Sequence, residues 1–193
     1  QHITIENEQL KNENLQTRYN MLANQISPHF LFNSLNSLSM LVREKSNDKA
    51  LLYIDRLADT FRYMLQSGQG ELTTLSEELR FTEAYLYLLT IRYENKLFCD
   101  IRIEDRYRDW KLPVLSLQPL IENAVKHNSI SRTKPLRIAI RTDDGTLVVS
   151  NPLIPKIDET TGTGIGLKNL SSRYLLLTSQ QVRIIRTDDA FEV

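Results

Sequence analysis

The chain of 193 residues carries 24 Lys and Arg against 24 Asp and Glu, so its formal net charge is zero and no overall electrostatic pull draws it to nucleic acid or an anionic membrane. Any phosphate binding must be local. The single cysteine, Cys99, excludes an intrachain disulfide and, with His2, His29 and His127 as the only histidines, argues against a zinc site. No apolar run reaches the roughly 20 residues of a membrane span, and the length suits one domain or a helical module joined to a compact α/β domain.

Residues 1 to about 45 contain no glycine and Pro28 is their only proline, a composition suited to a long helix. Leu15, Tyr19, Leu22 and Ile26 step by four, three and four residues, a short heptad seam that reads as a coiled-coil stalk. A second seam, Leu31, Leu35, Leu38 and Val42, repeats the spacing, yet five residues separate Ile26 from Leu31. That break falls on "SPHF", where proline removes a backbone donor and is expected to bend the helix. At 100° per residue His29 lies about 150° from the centre of the second stripe, with Asn33 and Asn36 within about 40° of it. The histidine therefore faces away from the apolar seam.

After the polar stretch "REKSND", Leu51, Ile54, Leu57, Ala58, Phe61 and Leu65 predict a helix over 48–66, capped by Asp48 or Ser46 and ended by "SGQG" at 67–70. Two amphipathic helices joined by a short turn predict an antiparallel hairpin, whose leftover apolar surface builds a four-helix bundle in a homodimer. "TLSE" at 74–77 fits a capping box and opens a third helix through about Arg92. The period then changes to two. "LFCDIRIED" and "PLRIAIRTDDGTLVVSN" alternate apolar and polar residues, and the turn at Asp144 and Gly145 makes the latter a hairpin. Pro113 precedes a helix running to about Asn128, "GIGLKNLSSRYLLL" gives another, and "VRIIRT" and "FEV" supply further strands. The predicted fold class is α+β: a helical hairpin followed by a mixed sheet with helices packed on one face.

Two constellations in the second half carry chemistry. On "LSLQPLIENAVKHN", Glu122, Asn123, Lys126 and His127 share one side of the helix and Leu117, Ile121, Ala124 and Val125 the other. An amide or carboxylate oxygen holds a hard ion such as Mg²⁺ and a lysine meets a phosphate, so the face suits a magnesium nucleotide; it also suits plain solvation. In "TGTGIGL", Thr161 to Leu167, glycines at alternate positions allow backbone amides close to an anion, and the following helix presents its N-terminal N–H groups. The run fits neither the P-loop nor the dinucleotide fingerprint, and a flexible turn would read the same. The preceding "NPLIPKIDETTG" is irregular and polar and looks like a mobile lid. His29, with no orienting partner evident for general-base work, reads either as an idle exposed histidine or as a side chain placed to receive a group from another domain.

In order, these pieces resemble the bacterial sensor histidine kinases of the LytS/YehU type over nearly the whole chain. "QISPHFLFNSLNSL" looks like that family's H-box, "LQPLIENAVKHN" like its N-box, and "GTGIGLKNLSSRY" like its distal glycine box. The resemblance implies a coiled-coil signalling helix over 1–24, a dimerisation and histidine phosphotransfer hairpin over 25–70, and a GHKL-type (Bergerat) ATP-binding α/β sandwich over 71–193. By the same resemblance His29 accepts the γ-phosphoryl group of ATP and Asn33, one turn on, lines its face. Asn123 holds Mg²⁺, Glu122 orients or deprotonates the imidazole, and Lys126 and His127 lie near the phosphates. Gly162, Gly164 and Gly166, with Leu167, form the box that closes over the nucleotide. The implied partners are a second copy of the chain, a response regulator, often one with a LytTR-type DNA-binding domain, and a membrane sensor region upstream of Gln1. The expected location is the cytoplasmic side of a bacterial inner membrane.

Two departures from the family pattern bear on this. Phe30 follows the histidine where many histidine kinases have an acidic residue, which leaves Glu122 as the candidate base. In place of the usual "D-x-G-x-G" the chain reads "VVSNPLIP", with Asn151 standing for the adenine-contacting aspartate and no glycine beside it. The alternative reading is therefore a degenerate, non-catalytic signalling scaffold of the same fold. A GHKL ATPase or serine kinase would leave the His29 helix unused.

Overall fold

In the computed structural model of the protein, residues 27–66, 72–154 and 165–193 are described. The predicted stalk over 1–24, the "SGQG" stop, the lid from residue 155 onward with Gly162, and Gly164 lie outside them, while the first two lid residues, Asn151 and Pro152, close a strand.

Helix α1 spans Pro28–Arg43. Pro28 occupies its first turn, not its interior, and Leu31 N donates to Ser27 O at 3.1 Å. The expected bend is thus replaced, within the described residues, by a helix start, where a missing N–H is harmless and the fixed φ is already helical. Lys45, at φ 57°, turns the chain, with Ser46 N donating to Leu41 O at 3.0 Å. Helix α2, Asn47–Gln66, then runs back along α1.

The packed faces of this hairpin differ from the predicted ones. On α1 the buried residues are Ser34, Ser37 and Leu41, and on α2 they are Ala50, Tyr53, Leu57, Thr60 and Met64. Leu35 and Val42 of the predicted α1 seam stay 48% and 57% exposed, and Leu51, Ile54 and Leu65 of the α2 stripe 63%, 46% and 47%. The cause is the third helix, α3, Leu75–Arg92, which packs on the hairpin and takes the neighbouring face. Each hairpin helix therefore has two apolar faces, one used within the chain and one not.

Thr74 caps α3 as predicted, its hydroxyl oxygen accepting from Glu77 N at 3.2 Å. Leu75, Glu78, Leu79, Phe81, Thr82, Ala84, Tyr85, Leu86, Leu88 and Leu89 are all buried, because one side of α3 covers the hairpin and the other covers the sheet. Before it, β1, Leu72–Thr74, pairs antiparallel with β3, Lys111–Pro113, a two-stranded ribbon that the sequence pattern did not announce.

The main sheet has five strands in the order β2–β4–β5–β7–β6, formed by Leu97–Arg102, Leu136–Asp143, Thr146–Pro152, Ala190–Glu192 and Ile185–Arg186. Only β2 and β4 run parallel, which requires the long crossover through a 3₁₀ turn at Asp105–Tyr107, β3 and helix α4, Leu117–His127. Asp144 and Gly145, at φ 43° and 78°, make the tight hairpin turn whose twist matches the strands. Leu136, Ile138 and Ile140 of β4 and Val149 of β5 point to the helix-covered side, where they meet Ile121, Leu97 and Leu170. Each such side chain contributes about 1.5–3 kcal/mol when fully buried. On the opposite side, Arg137 lies over the Phe98 ring at 4.9 Å, and Arg141 donates to Ser150 Oγ at 3.0 Å and Glu192 Oε2 at 2.9 Å. Helix α5, Ile165–Thr178, completes the helical layer. The α+β fold with a mixed sheet stands as predicted, although "VRIIRT" contributes only Ile185 and Arg186 to the sheet.

Candidate functional site

Helix α4 places the chemistry. Its spacing sends Leu117, Leu120, Ile121 and Ala124 into the core, which leaves Glu122 and Lys126 exposed and Asn123 and His127 half-buried on the other side. Glu122 is not loose. Its Oε1 accepts from Tyr85 Oη and from Gln118 Nε2, both at 2.9 Å. Tyr85 belongs to α3 and is 2% exposed; burial first, and the Glu122 charge second, hold its hydroxyl well above the usual tyrosine range, so it remains a neutral donor.

The end of α4 is fastened to the end of β5. Asn128, 1% exposed, donates from Nδ2 to Ala124 O at 2.8 Å, its Oδ1 accepts from Ile154 N at 2.6 Å, and Ser129 N donates to Ile154 O at 2.8 Å. These bonds bring the strand end carrying Asn151 against the helix carrying Asn123. Asn151 shares the parity of Val149 and so sits on the helix-covered side. Its Nδ2 donates to Pro152 O at 2.8 Å, which leaves the amide oxygen as the group able to accept from a ligand. Gly166 and Leu167 lie in the first turn of α5, Leu167 against the core and Gly166 exposed, with no described residue beyond its own helix turn within 4 Å of where a side chain would begin.

His29 stands apart from this group, in the first turn of α1 and exposed. With Phe30, Ser34, Ser37 and Leu41 facing the chain's own core and Phe32, Leu35 and Val42 exposed, it lies about 110° from the centre of either stripe. Asn33 is half-buried and its Nδ2 is buried without a partner. No hydrogen bond or ion pair joins His29 to α4 among the described residues. The connection is indirect: the Phe30 ring packs on Tyr85 at 5.5 Å and on Phe61 at 6.0 Å, and Tyr85 bonds Glu122.

A cavity of about 690 Å³ opens near the β4–β5 turn, between Trp110, Leu147, Leu170, Tyr174 and Arg183. None of the predicted site residues lines it. The polar side of α4 and the strand end at Asn151 remain the candidate site on chemical grounds.

Residues 17–97 match the histidine kinase family. Over 166 residues, 77% of this chain, the sequence is 35% identical to the sensor histidine kinase/phosphatase LytS of Staphylococcus aureus strains Mu50 and N315. The chain belongs to the LytS-type histidine kinases. It spans 28% of the length of those relatives. Among solved structures, the Acinetobacter baumannii histidine kinase AdeS is similar over 93% of this chain and 94% of its own, at 11% identity and a TM-score of 0.42, too slight a likeness to support anything more.

The polar side of α4 brings few groups that could hold a metal ion. Among the described residues no group of three or more His, Cys, Asp or Glu side chains converges. Mg²⁺ suits such a place, since it keeps several waters and takes one protein oxygen together with substrate phosphates; the Asn123 oxygen fits that habit. Also among the described residues, no helix is long and apolar enough to cross a membrane.

Several residues that build the site were not foreseen. Tyr85 and Asn128 act by hydrogen bonds across the fold, which local periodicity does not register, whereas Gln118 reaches Glu122 from one turn earlier on the same helix. Glu78 is different. It is fully buried; its Oε2 accepts from Tyr63 Oη at 2.8 Å and Leu115 N at 3.0 Å, and its Oε1 from Leu117 N at 3.1 Å. It thereby ties the hairpin to the start of α4. A carboxylate set among Leu75, Leu79, Thr82 and Leu86 at helical spacing was the available signal.

Proposed function

We propose that the chain is the kinase core of a two-component sensor kinase, taking Mg²⁺-ATP as substrate and phosphorylating His29. A lone pair on one imidazole nitrogen forms the P–N bond while the bond from the γ-phosphorus to the β-phosphate oxygen breaks, and ADP leaves with that electron pair. The proton on the other ring nitrogen passes to Glu122. Catalysis of this kind rests on positioning and charge neutralisation: Asn123 holds Mg²⁺, Lys126 and His127 meet the phosphates, the Asn151 oxygen accepts from the adenine amino group, and Gly162, Gly164, Gly166 and Leu167 close over the nucleotide. The phosphoryl group then moves to an aspartate of a response regulator, often of the LytTR type. The chain works as a homodimer, through the apolar stripe that its own hairpin leaves uncovered, and beneath a membrane sensor region upstream.

The observation that carries this reading is the position of His29, exposed on a helix face that neither apolar stripe occupies, in a chain of this family. Incubating the protein with γ-labelled ATP is expected to give an acid-labile, alkali-stable label that His29→Gln lacks. Label that survives the substitution would assign the acceptor elsewhere.

The stretch "VVSNPLIP" favours a second reading, a non-catalytic scaffold, because Asn151 brings no charge and its neighbours no glycine. Titration calorimetry separates the two: measurable heat on adding millimolar Mg²⁺-ATP removes the basis for the scaffold.

A further inference from the structure

Glu122 is exposed, and an exposed glutamate on a helix ordinarily samples several rotamers. Here one of its two oxygens carries two donors. Tyr85 approaches from the buried side and Gln118 from one turn earlier on the same helix. Both meet Oε1, so the other oxygen is the one left for an incoming proton. Tyr85 is the more rigid of the two, because its ring is 2% exposed and braced by Phe30 at 5.5 Å and Phe81 at 6.0 Å. Phe30 is the residue next to His29, and it packs against both hydrophobic clusters, the one within the hairpin and the one under the sheet.

We infer that Tyr85 is a positioning residue for phosphoryl transfer: with Gln118 it fixes one oxygen of Glu122 so that the other receives the imidazole proton, and it sets this carboxylate relative to the His29 helix through Phe30. The inference rests on the reading of Glu122 as proton acceptor. Tyr85 does not touch substrate; it acts through Glu122.

The test is a double-mutant cycle on single-turnover autophosphorylation, using the full 193-residue chain with wild type, Tyr85→Phe, Glu122→Gln and the double variant. A hydrogen bond to a charged group accounts for about a tenfold to hundredfold effect. Tyr85→Phe is therefore expected to slow the chemical step about tenfold with the ATP concentration for half-maximal rate unchanged. In the Glu122→Gln background the same change is expected to alter the rate less than twofold, because the group it positions is gone. Gln118→Ala, on the accessible side and harmless to the core, is expected to slow the step about threefold. Equal effects of Tyr85→Phe in both backgrounds, or a full rate in Tyr85→Phe, overturn the positioning role while leaving the kinase reading intact. An unlabelled wild type, or a full rate in Glu122→Gln, overturns the reading of Glu122 and with it this inference. A shift of the Glu122 carboxyl ¹³C resonance in Tyr85→Phe, measured without nucleotide, supports the contact independently of turnover, and an unmoved resonance refutes it.

Discussion

Asn128 and Ile154 form the seam between the helix that carries the polar face and the strand end that carries Asn151. The Asn128 amide bonds in both directions, to Ala124 O and from Ile154 N, at 1% exposure. Replacing it by alanine removes both bonds and strands a backbone N–H, at a cost of about 1–3 kcal/mol. Asn128→Ala is expected to lower the urea midpoint with an unchanged slope and to weaken Mg²⁺-ATP binding, since Asn151 would lose its fixed relation to Asn123. A midpoint equal to that of wild type would show that the seam is held by other contacts.

Glu78 gives the stability a pH dependence whose sign follows from its surroundings. Burial raises its carboxyl above the usual value of 4.5, and the N–H groups of Leu117 and Leu115 with the Tyr63 hydroxyl only partly offset this. The unfolded chain therefore loses the proton first as pH rises. Stability is full below the ordinary carboxyl value, falls as pH climbs from there through the raised native value, and levels above it. Glu78→Gln is expected to abolish that part of the slope in unfolding free energy that sets in as pH rises above the ordinary carboxyl value of 4.5. It also leaves three donors facing an amide with one oxygen, so its stability is lower at acid pH, where the wild-type carboxyl is neutral. An unchanged slope in the variant would assign the pH dependence to other groups.

These two residues also show where sequence reading stops. The strands at 97–102, 136–143 and 146–152, the helix at 117–127 and the capped helix at 75–92 follow from period, turn and cap signals that are local in the chain. The polar side of α4 was legible for the same reason. What failed was the choice between two apolar faces on each hairpin helix: Leu35 and Leu41, or Ile54 and Tyr53, compete on equal terms until the position of α3 is known. Periodicity identifies a stripe without saying what covers it. Tyr85 over Glu122 and Ile154 on Asn128, separated by 37 and 26 residues, belong to tertiary geometry alone.

Cys99 on β2 is half-buried toward the core, and burial, with a smaller contribution from the Asp100 charge, pushes its thiol from 9 up to about 12. Thiolate is the reactive form, so three pH units correspond to a reduction on the order of a thousandfold at neutral pH. Iodoacetamide at pH 8 is expected to modify the native chain at least a hundredfold more slowly than the urea-unfolded chain, read by mass spectrometry. The same shift means that stability falls as pH rises from 9 toward 12, because the unfolded thiol ionises first. Rapid native labelling would place Cys99 in water.

The exposed stripe on the hairpin supplies the last prediction. Phe32, Leu35 and Val42 on α1 and Leu51 and Ile54 on α2 are between 46% and 64% exposed, while the residues that hold the hairpin to α3 are different ones. Polar substitution on this stripe can therefore remove an intermolecular contact without opening the chain's own core. Burying a leucine or isoleucine side chain contributes about 2 kcal/mol, or roughly thirtyfold in a dissociation constant. Leu35→Ser with Ile54→Ser is expected to convert a dimer into a monomer at micromolar concentration by sedimentation equilibrium, with the far-ultraviolet dichroism of the wild type retained. A dimer that survives both substitutions would have to be held by another surface, and the four-helix bundle would not be its interface. If instead the helical signal is lost with the dimer, α1 and α2 depend on each other's partner copies, and the packing of Leu41, Tyr53 and Leu57 with Leu88 of α3 is insufficient to hold them.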